Sequence, residues 1–211
     1  MSEPVIGIII LAAGSSSRMG QPKQLLRYAG ESLLSRAVRV ALETGCRPVI
    51  VVLGSQAEAV QEKLAAMEAR FVVNQEWAEG MSSSIRCGLR ALETAAKGTI
   101  EAALLMLCDQ PFVTSGIIRR LVETYLAKRP LFVASEYQTK DGKTRGVPAL
   151  FSSSLFAELM ELRGAAGARG IIARHEAAGS IIAVPEAAFD VDTPDDYLDL
   201  QGHPSRGFVE D

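Results

Sequence analysis

Residues 5–23 read VIGIIILAAGSSSRMGQPK, and this stretch decides the fold. Residues 5–11 form an apolar run of strand length, far too short to span a bilayer. A strand that helices cover on both faces has this composition. The residues that follow are rich in glycine and serine and end in positively charged side chains. We therefore predict a buried first strand that leads directly into a functional turn.

Apolar runs of strand length alternate with helical patterns along most of the chain. Strands are predicted at residues 5–11, 49–53, 71–74, 102–107, 131–135 and 180–184. Helices are predicted where apolar residues recur at steps of three and four, at residues 33–42, 57–67, 81–95, 154–162, 168–176 and 194–200. Repeated β-α units of this kind predict an α/β fold, a three-layer αβα Rossmann-like domain with a mainly parallel sheet.

The polar segment at residues 138–144 departs from this alternation. Its Asp141-Gly142 pair favours a tight hairpin, because glycine tolerates positive φ, and predicts a small antiparallel insertion. No linker, repeat or low-complexity block divides the chain. We predict one domain over residues 1–201 and a flexible tail over residues 202–211.

Composition excludes several classes of protein. Of the 211 residues, 48% are hydrophobic and 22% charged, and 22 Lys and Arg against 25 Asp and Glu give a net charge of −3. Such a chain can bury a large core, and a slightly acidic surface does not favour nucleic acid. Three cysteines without C-x-x-C spacing argue against disulfides and a cysteine metal site. We predict a cytoplasmic protein with neither a membrane nor a nucleic acid as partner.

The turn at residues 11–23 joins three requirements of triphosphate binding. Gly14 and Gly20 allow the backbone to approach a ligand, Ser15 and its neighbours supply donors, and Arg18 and Lys23 supply positive charge. The spacing is neither that of a Walker loop nor that of G-x-G-x-x-G. A flexible turn with solvated charges is the alternative, but α/β sheets place ligand phosphates at this position.

A carboxylate follows the apolar run at residues 102–107. Asp109 precedes Pro111 in a stiff turn at the carboxyl end of that strand, and oxygen ligands of this kind suit Mg²⁺. Capping of the next helix, which starts near Thr114, is the weaker alternative because Asp109 lies too far ahead. Near the end of the chain, Thr193-Pro194 begins a helix, and Asp195 and Asp196 complement its dipole.

The loop resembles the signature of the MobA-like nucleotidyltransferases, L-A-[AG]-G-x-[GS]-x-R-M-G-x-x-K, at every specified position. Within that family it is most similar to the molybdenum cofactor cytidylyltransferases, through Ala13 and the sequence CDQP at residues 108–111. The guanylyltransferase relatives usually have a second glycine in the loop and another residue after the aspartate. The resemblance covers residues 5 to about 200.

The resemblance implies transfer of CMP from CTP to molybdopterin, or to molybdenum cofactor, with release of pyrophosphate. It implies Mg²⁺ held by Asp109 and Asp192, with Asp190 as a competing ligand, and a molybdenum hydroxylase or its chaperone as protein partner. The catalytic residues would be Arg18, Lys23 and Asp109. The implied nucleotide-binding residues are Leu11, Ala12, Ala13, Gly14, Ser15, Lys23, Asn74, Gly80, Met81 and Ser82, and the implied acceptor-binding residues are Pro148 and Arg169.

One departure keeps other functions open. The family's acidic Gly-Asp-x-Gly-x-Arg loop reads GAAGAR at residues 164–169, so Ala165 replaces the aspartate. The alternatives are a GTP-using guanylyltransferase, an NAD(P)-dependent oxidoreductase on the same scaffold and a non-catalytic protein that delivers cofactor. His175 is interpreted as a helix-surface residue and Cys108 as a packing residue.

Overall fold

The structure, a computed structural model, describes residues 4–55, 57–64, 67–97, 100–140 and 142–203. Within these residues the strands are β1 (Val5–Ala12), β2 (Arg27–Tyr28), β3 (Glu31–Ser32), β4 (Val49–Leu53), β5 (Arg70–Val73), β6 (Ile100–Leu107), β7 (Phe132–Thr139), β8 (Gly142–Ser152) and β9 (Ser180–Ala183). The α-helices are α1 (Leu33–Glu43), α2 (Ala57–Leu64), α3 (Met81–Ala95), α4 (Ser115–Lys128), α5 (Phe156–Glu161), α6 (Arg169–Arg174) and α7 (Pro194–Gly202).

Seven strands form one sheet in the order β5-β4-β1-β6-β8-β7-β9. β1 is parallel to β4 and β6, β4 to β5, and β7 to β9, whereas β8 is antiparallel to both of its neighbours. The predicted Rossmann-like α/β fold is confirmed. The predicted hairpin joins β7 to β8 inside this main sheet, and its Asp141 lies outside the described residues. A separate two-stranded antiparallel sheet pairs β2 with β3.

The two faces of the sheet each carry a core. Along β1, Ile8 and Ile10 pack in one cluster with residues of α1 and α4, and Ile9 and Leu11 pack in another with residues of α3, α5 and α6. This alternation follows from the period of two in a strand. Three layers result, as the sequence predicts. A third cluster of Met19, Leu26, Tyr28, Leu33, Val191 and Leu200 lies apart from both.

Several predicted elements differ in extent from the observed ones. The helix predicted at residues 154–162 begins as a 3₁₀ turn, Ser153–Leu155, before α5, and the helix predicted at residues 168–176 is the shorter α6. Residues 65–66 of one predicted helix and residues 204–211 of the predicted tail lie outside the described residues. None of the described helices has the length and apolar character needed to cross a membrane.

Strand direction determines where the loops meet. β5, β4, β1 and β6 are parallel, so the loops that follow them emerge at one edge of the sheet. At this edge Gly54, after β4, packs so closely on the loop after β1 that a Cβ would lie 2.3 Å from the carbonyl oxygen of Ala13. Ligands of open α/β sheets bind at such an edge.

Candidate functional site

The loop after β1 lines a pocket of about 180 Å³ together with two side chains from elsewhere. The lining residues are Gly14, Ser15, Ser16, Ser17, Arg18, Lys23 and Asp192. Within the loop, the carbonyl of Ser16 accepts a bond from the N–H of Met19 at 2.9 Å, and the Ser16 hydroxyl accepts one from the N–H of Lys23 at 3.0 Å. The buried Met19 side chain anchors the loop in the third apolar cluster.

Two aspartates distant in sequence meet at Lys23, which lines this pocket. The Lys23 ammonium forms a short ion pair with Oδ2 of Asp109 and lies 2.8 Å from Oδ1 of Asp192. Arg18 Nη2 lies 3.4 Å from Oδ2 of Asp192. The structure therefore brings together all four side chains that the sequence analysis placed at the phosphates and the metal.

Hydrogen bonds to main-chain carbonyls position the segments that carry the two aspartates. The N–H of Val191 donates to the carbonyl of Asp109 at 3.0 Å, and Nε2 of Gln110 donates to the carbonyl of Ala187 at 2.9 Å. Nε of Arg36, on α1, donates to the carbonyl of Pro111 at 2.7 Å. The first two bonds tie the loop after β6 to the segment that carries Asp192, and the third ties that loop to α1. Thr114 rather than Asp109 caps α4, since its hydroxyl accepts from the N–H of Ile117.

The charges of the cluster shift the pKa values of its members. Burial acts to lower the pKa of Lys23, but the charge of Asp109 and the bonds to both aspartates outweigh it and raise the pKa above its usual range. Partial burial and the charges of Asp109 and Asp192 raise the pKa of Asp190. Burial, with the charge of Asp109, raises the pKa of the Cys108 thiol to about 12. Cys108 is therefore a neutral packing residue at pH 7, as the sequence analysis interprets it.

The donor set fits a hard divalent cation. Asp109 is 6% exposed, and its Oδ1 is buried without a hydrogen-bond partner in the part of the chain that the structure describes. No group of three or more His, Cys, Asp or Glu side chains among the described residues is arranged to hold a metal ion. Magnesium binds through one or two carboxylates when substrate phosphates and water complete its shell. The Asp109 and Asp192 pair meets this requirement.

The predicted nucleoside residues lie around the start of α3 and do not line the phosphate pocket. Nδ2 of Asn74 donates to the hydroxyls of Ser83 and Ser84 at 2.8 and 3.0 Å, so its amide is used inside the protein. The N–H of Ser82 donates to the carbonyl of Gly164, and the Ser82 hydroxyl is buried. Only Met81 of this group exposes a large part of its side chain, 38%.

The loop that reads GAAGAR covers this helix start. Gly80 has φ +110°, and a Cβ there would lie 2.8 Å from the carbonyl oxygen of Gly164. A Cβ at Gly167 would lie 2.7 Å from the sulfur of Met81. Arg86, on α3, anchors the preceding segment by donating to the carbonyl of Leu162 at 2.6 Å. The segment in which Ala165 replaces the expected aspartate therefore packs against the predicted base-binding helix.

The two predicted acceptor residues differ in accessibility. Pro148 is buried in β8, where its carbonyl accepts a bond from the hydroxyl of Ser135 at 2.6 Å. Arg169 is exposed at the start of α6, and its Nε lies 3.7 Å from the position that a Cβ of Gly146 would take. His175, at the end of α6, is half-buried, and its Nε2 lies 2.8 Å from Oε1 of Glu158.

Sequence reasoning missed one polar residue of the loop. Gln24 is 2% exposed, and its Nε2 donates to the carbonyls of Ala12 and Gly14 at 2.8 and 3.1 Å. The only sequence signal is an uncharged polar residue beside Lys23, and nothing in the pattern tells that it turns inward. Its contacts with the loop depend on the 3₁₀ turn Lys23–Leu25, which the apolar periodicity does not indicate.

Comparison with known proteins identifies the family. The sequence model of the protein family described as the MobA-like NTP transferase domain matches residues 8–178 of this chain. Nicotine blue oxidoreductase of Paenarthrobacter nicotinovorans is 35% identical over 79% of this chain and 80% of its own, and molybdenum cofactor cytidylyltransferase of Escherichia coli is 26% identical over 92% and 94%. The crystal structure of Rv0371c from Mycobacterium tuberculosis, 32% identical over 96% of this chain and all of its own, superposes with a TM-score of 0.81. The chain belongs to the MobA-like NTP transferase family and is a nucleotidyltransferase.

Proposed function

We propose that this nucleotidyltransferase moves CMP from CTP to the terminal phosphate of molybdopterin, with or without bound molybdenum, and releases pyrophosphate. The observation that carries the proposal is that Arg18, Lys23 and Asp192 line one pocket at the carboxyl edge of the sheet and that Lys23 also pairs with the buried Asp109. The choice of CTP and molybdopterin is supported by similarity to the cytidylyltransferase along nearly the whole chain.

The side chains of the pocket account for the chemistry of this transfer. An oxygen of the acceptor phosphate forms a bond to the α-phosphorus of CTP while the bond from that phosphorus to the β-phosphate oxygen breaks. Because the acceptor is already an anion, no protein nucleophile or strong base is required. Lys23 and Arg18 offset the charge that develops on the departing pyrophosphate, so catalysis consists of positioning and charge neutralisation.

Asp109 and Asp192 are the residues that would hold Mg²⁺. The ion would supply a Lewis acid at the phosphates of the nucleotide. A crystal structure of the mycobacterial neighbour in complex with manganese, 31% identical with a TM-score of 0.77, supports a divalent metal in a protein of this fold.

Asp190 remains the competing ligand. We expect Asp192→Asn to weaken Mn²⁺ binding and Asp190→Asn to leave it nearly unchanged in calorimetry.

The remaining predicted residues belong to this proposal as well. The loop from Leu11 through Ser15 would bind the nucleotide, and the region of Asn74 to Ser82 would lie beside the nucleoside. The exposed Arg169 suits an anionic acceptor better than the buried Pro148, which would act only as part of the wall. A molybdenum hydroxylase or its chaperone would receive the product.

A second candidate function rests on the relative at 35% identity, whose name is nicotine blue oxidoreductase. An NAD(P)-dependent oxidoreductase on this scaffold would place a hydride carrier where we place CTP. This alternative predicts loss of NADPH absorbance during turnover of an oxidised acceptor, without release of pyrophosphate.

One experiment separates these functions. Pyrophosphate release is measured with CTP, GTP, ATP and UTP, each with and without molybdopterin and Mg²⁺. We expect release with CTP only when molybdopterin and the metal are both present. Release with GTP far above CTP would assign the chain to guanylyl transfer, and NADPH consumption without pyrophosphate release would favour the oxidoreductase. Cofactor binding without any turnover would indicate a delivery protein.

A further inference from the structure

Gln24 is a buried amide whose hydrogen-bonding groups all contact the nucleotide loop or its start. Its Nε2 lies within bonding distance of the carbonyls of Ala12 and Gly14, and its Oε1 accepts from the hydroxyl of Ser16 at 3.4 Å. Carbonyl oxygens only accept, so the group that faces them is the NH₂ end, and the orientation of the amide is fixed by its partners. Gln24 therefore supplies two donors to the main chain of the loop.

These bonds set the direction of the peptide groups. In a trans peptide the carbonyl and the following N–H point to opposite sides. With the Gly14 carbonyl directed at Gln24, the N–H of Ser15 points away from Gln24. Among the described residues, the N–H groups of Ser15 and Ser17 have no hydrogen-bond acceptor. Both residues line the pocket.

The space beside the loop agrees with this polarity. A Cβ added at Gly14 would meet nothing within 4 Å, so the loop is open to a ligand at that point. Ser16, with φ +54°, reverses the chain in the left-handed region. Successive N–H groups around such a reversal form an anion-binding concavity. If the carbonyls turned outward instead, their negative ends would face the phosphates.

We propose that Gln24 is a positioning residue for the phosphates of the nucleotide: it holds the carbonyls of Ala12 and Gly14 inward, so that loop N–H groups face the pocket. This inference rests on the proposed function. Gln24 would act without touching the substrate, through the main chain of the loop and the hydroxyl of Ser16.

The test uses binding of inorganic pyrophosphate to the full chain, measured by calorimetry. Gln24→Glu keeps the shape but directs a carboxylate at two carbonyls, and Gln24→Met keeps the length but donates nothing. We expect both variants to bind pyrophosphate at least about tenfold more weakly than the wild type, which corresponds to about 1.4 kcal/mol. As the pH falls, Gln24→Glu is expected to regain affinity relative to the wild type measured at the same pH, because a protonated carboxyl can donate one hydrogen bond.

Ser135→Ala is the matched control. It removes another buried side-chain bond to a carbonyl, that to Pro148, away from the loop. Its thermal midpoint should fall without a change in pyrophosphate affinity, which separates loss of stability from loss of positioning. Wild-type affinity in both Gln24 variants would overturn the inference and leave the proposed function intact. Failure of the wild type to bind pyrophosphate would overturn both, and if Gln24→Met does not fold, the pH dependence of Gln24→Glu decides.

Discussion

At the scale of single residues, the ammonium of Lys23 is the centre of the site. Its side chain is 15% exposed and contacts one oxygen of Asp109 and one of Asp192. Buried carboxylates require such a partner, because an uncompensated charge in the interior costs several kcal/mol. Under the proposed function, Lys23 and a divalent cation would therefore compete for the same two side chains.

The substitution Lys23→Met tests both roles of the ammonium. We expect the turnover number to fall by roughly 10²-fold, the effect of removing one preorganised electrostatic group. In the absence of nucleotide, Mn²⁺ should bind about tenfold more tightly, since its competitor is gone. Calorimetry measures the second effect without any activity. Lys128→Met, an exposed lysine at the end of α4, is the control. Turnover and Mn²⁺ affinity both equal to the wild type would contradict the assignment.

The sequence predicts individual residues of this site unevenly. Arg18, Lys23 and Asp109 can be predicted because each lies in the recognisable segment that follows a buried strand. Asp192 enters only through the family resemblance, since the local sequence FDVDTPDD leaves Asp190 as its competitor. The role of Gln24 could not be predicted, because the sequence of a short turn does not indicate whether a polar side chain points into the protein or out to solvent.

At the scale of elements, the start of α7 fixes the segment that carries Asp192. Oδ2 of Asp196 accepts bonds from the N–H groups of Asp192 and Thr193, at 3.1 and 2.7 Å, and Thr193 caps the helix in return. The helix start at Thr193-Pro194 was predicted from the sequence, with Asp195 and Asp196 complementing the helix dipole, but the capping box was not. The box gives Asp196 a structural role, whereas Asp192 lines the pocket.

Asp196→Asn should destabilise the protein in a pH-dependent way. Burial acts to raise the pKa of Asp196, but the bonds from Thr193 and Asp192 outweigh it and lower the pKa. The folded-state pKa then lies below the unfolded value of about 3.9, so this stabilisation is present above about pH 4 and is lost as the pH falls further. Urea unfolding should show a loss of about 1 kcal/mol at pH 7.

The same measurement on Asp195→Asn provides the control for Asp196, because Asp195 lies in the same helical turn and is exposed. Its removal should change the free energy of unfolding by less than about 0.5 kcal/mol. Equal losses for the two variants would show that the helix dipole, and not the capping box, accounts for the stabilisation.

A second element depends on a backbone conformation. Gly80 has φ +110° where the GAAGAR loop meets α3, so Gly80→Ala adds both strain and a contact with the Gly164 carbonyl. We expect a loss of about 2 kcal/mol or more in urea unfolding. Gly116→Ala, in α4, meets only Thr114 at an ordinary 3.7 Å and should stabilise by about 0.5 kcal/mol. Equal effects of both variants would refute this explanation.

At the scale of the whole molecule, the distance between α3 and the sheet is set by small residues. A Cβ at Gly88 would lie 2.5 Å from Cγ2 of Ile9 and 3.0 Å from Cγ2 of Val52. Across the same interface, a Cβ at Gly7 would lie 2.3 Å from Cδ1 of Leu92. The helix therefore rests directly on β1 and β4, which fixes the height of its amino-terminal end above the sheet.

Gly88→Ala sets two effects against each other. Alanine favours the helix by about 1 kcal/mol, whereas overpacking costs about 1–3 kcal/mol, so we expect a net loss of about 1 kcal/mol in urea unfolding. In a double-mutant cycle with Ile9→Ala, the combined loss should be smaller than the sum of the single losses, because the cavity accepts the new methyl group. Additive losses would contradict a contact between these two positions.

Much of the overall fold follows from the sequence. The strand at Val49–Leu53 and the helix at Met81–Ala95 match their predicted bounds. A short uniform apolar run between turns favours a strand, and a long amphipathic period favours a helix, so each pattern indicates one type of element. The place of β8 between β6 and β7 was not predicted, since hydrophobic pattern indicates a strand but not its partners. β7 also runs four residues past its predicted end, because residue 136 pairs with both β8 and β9 and residues 137–139 pair with β8.

The bond between the N–H of Val191 and the carbonyl of Asp109 joins positions far apart in the chain. Ribosomes make proteins from the amino terminus, so every strand of the sheet has been synthesised before Asp192 emerges. At that point the chain contains the residues of all seven strands of the main sheet, while Asp192 is missing and Lys23 has only one of its two carboxylate partners. A chain terminated before residue 190 would keep those strand residues but lose the second carboxylate of the proposed metal site, so on the proposed function such a stop codon would remove catalysis before it removed the sheet.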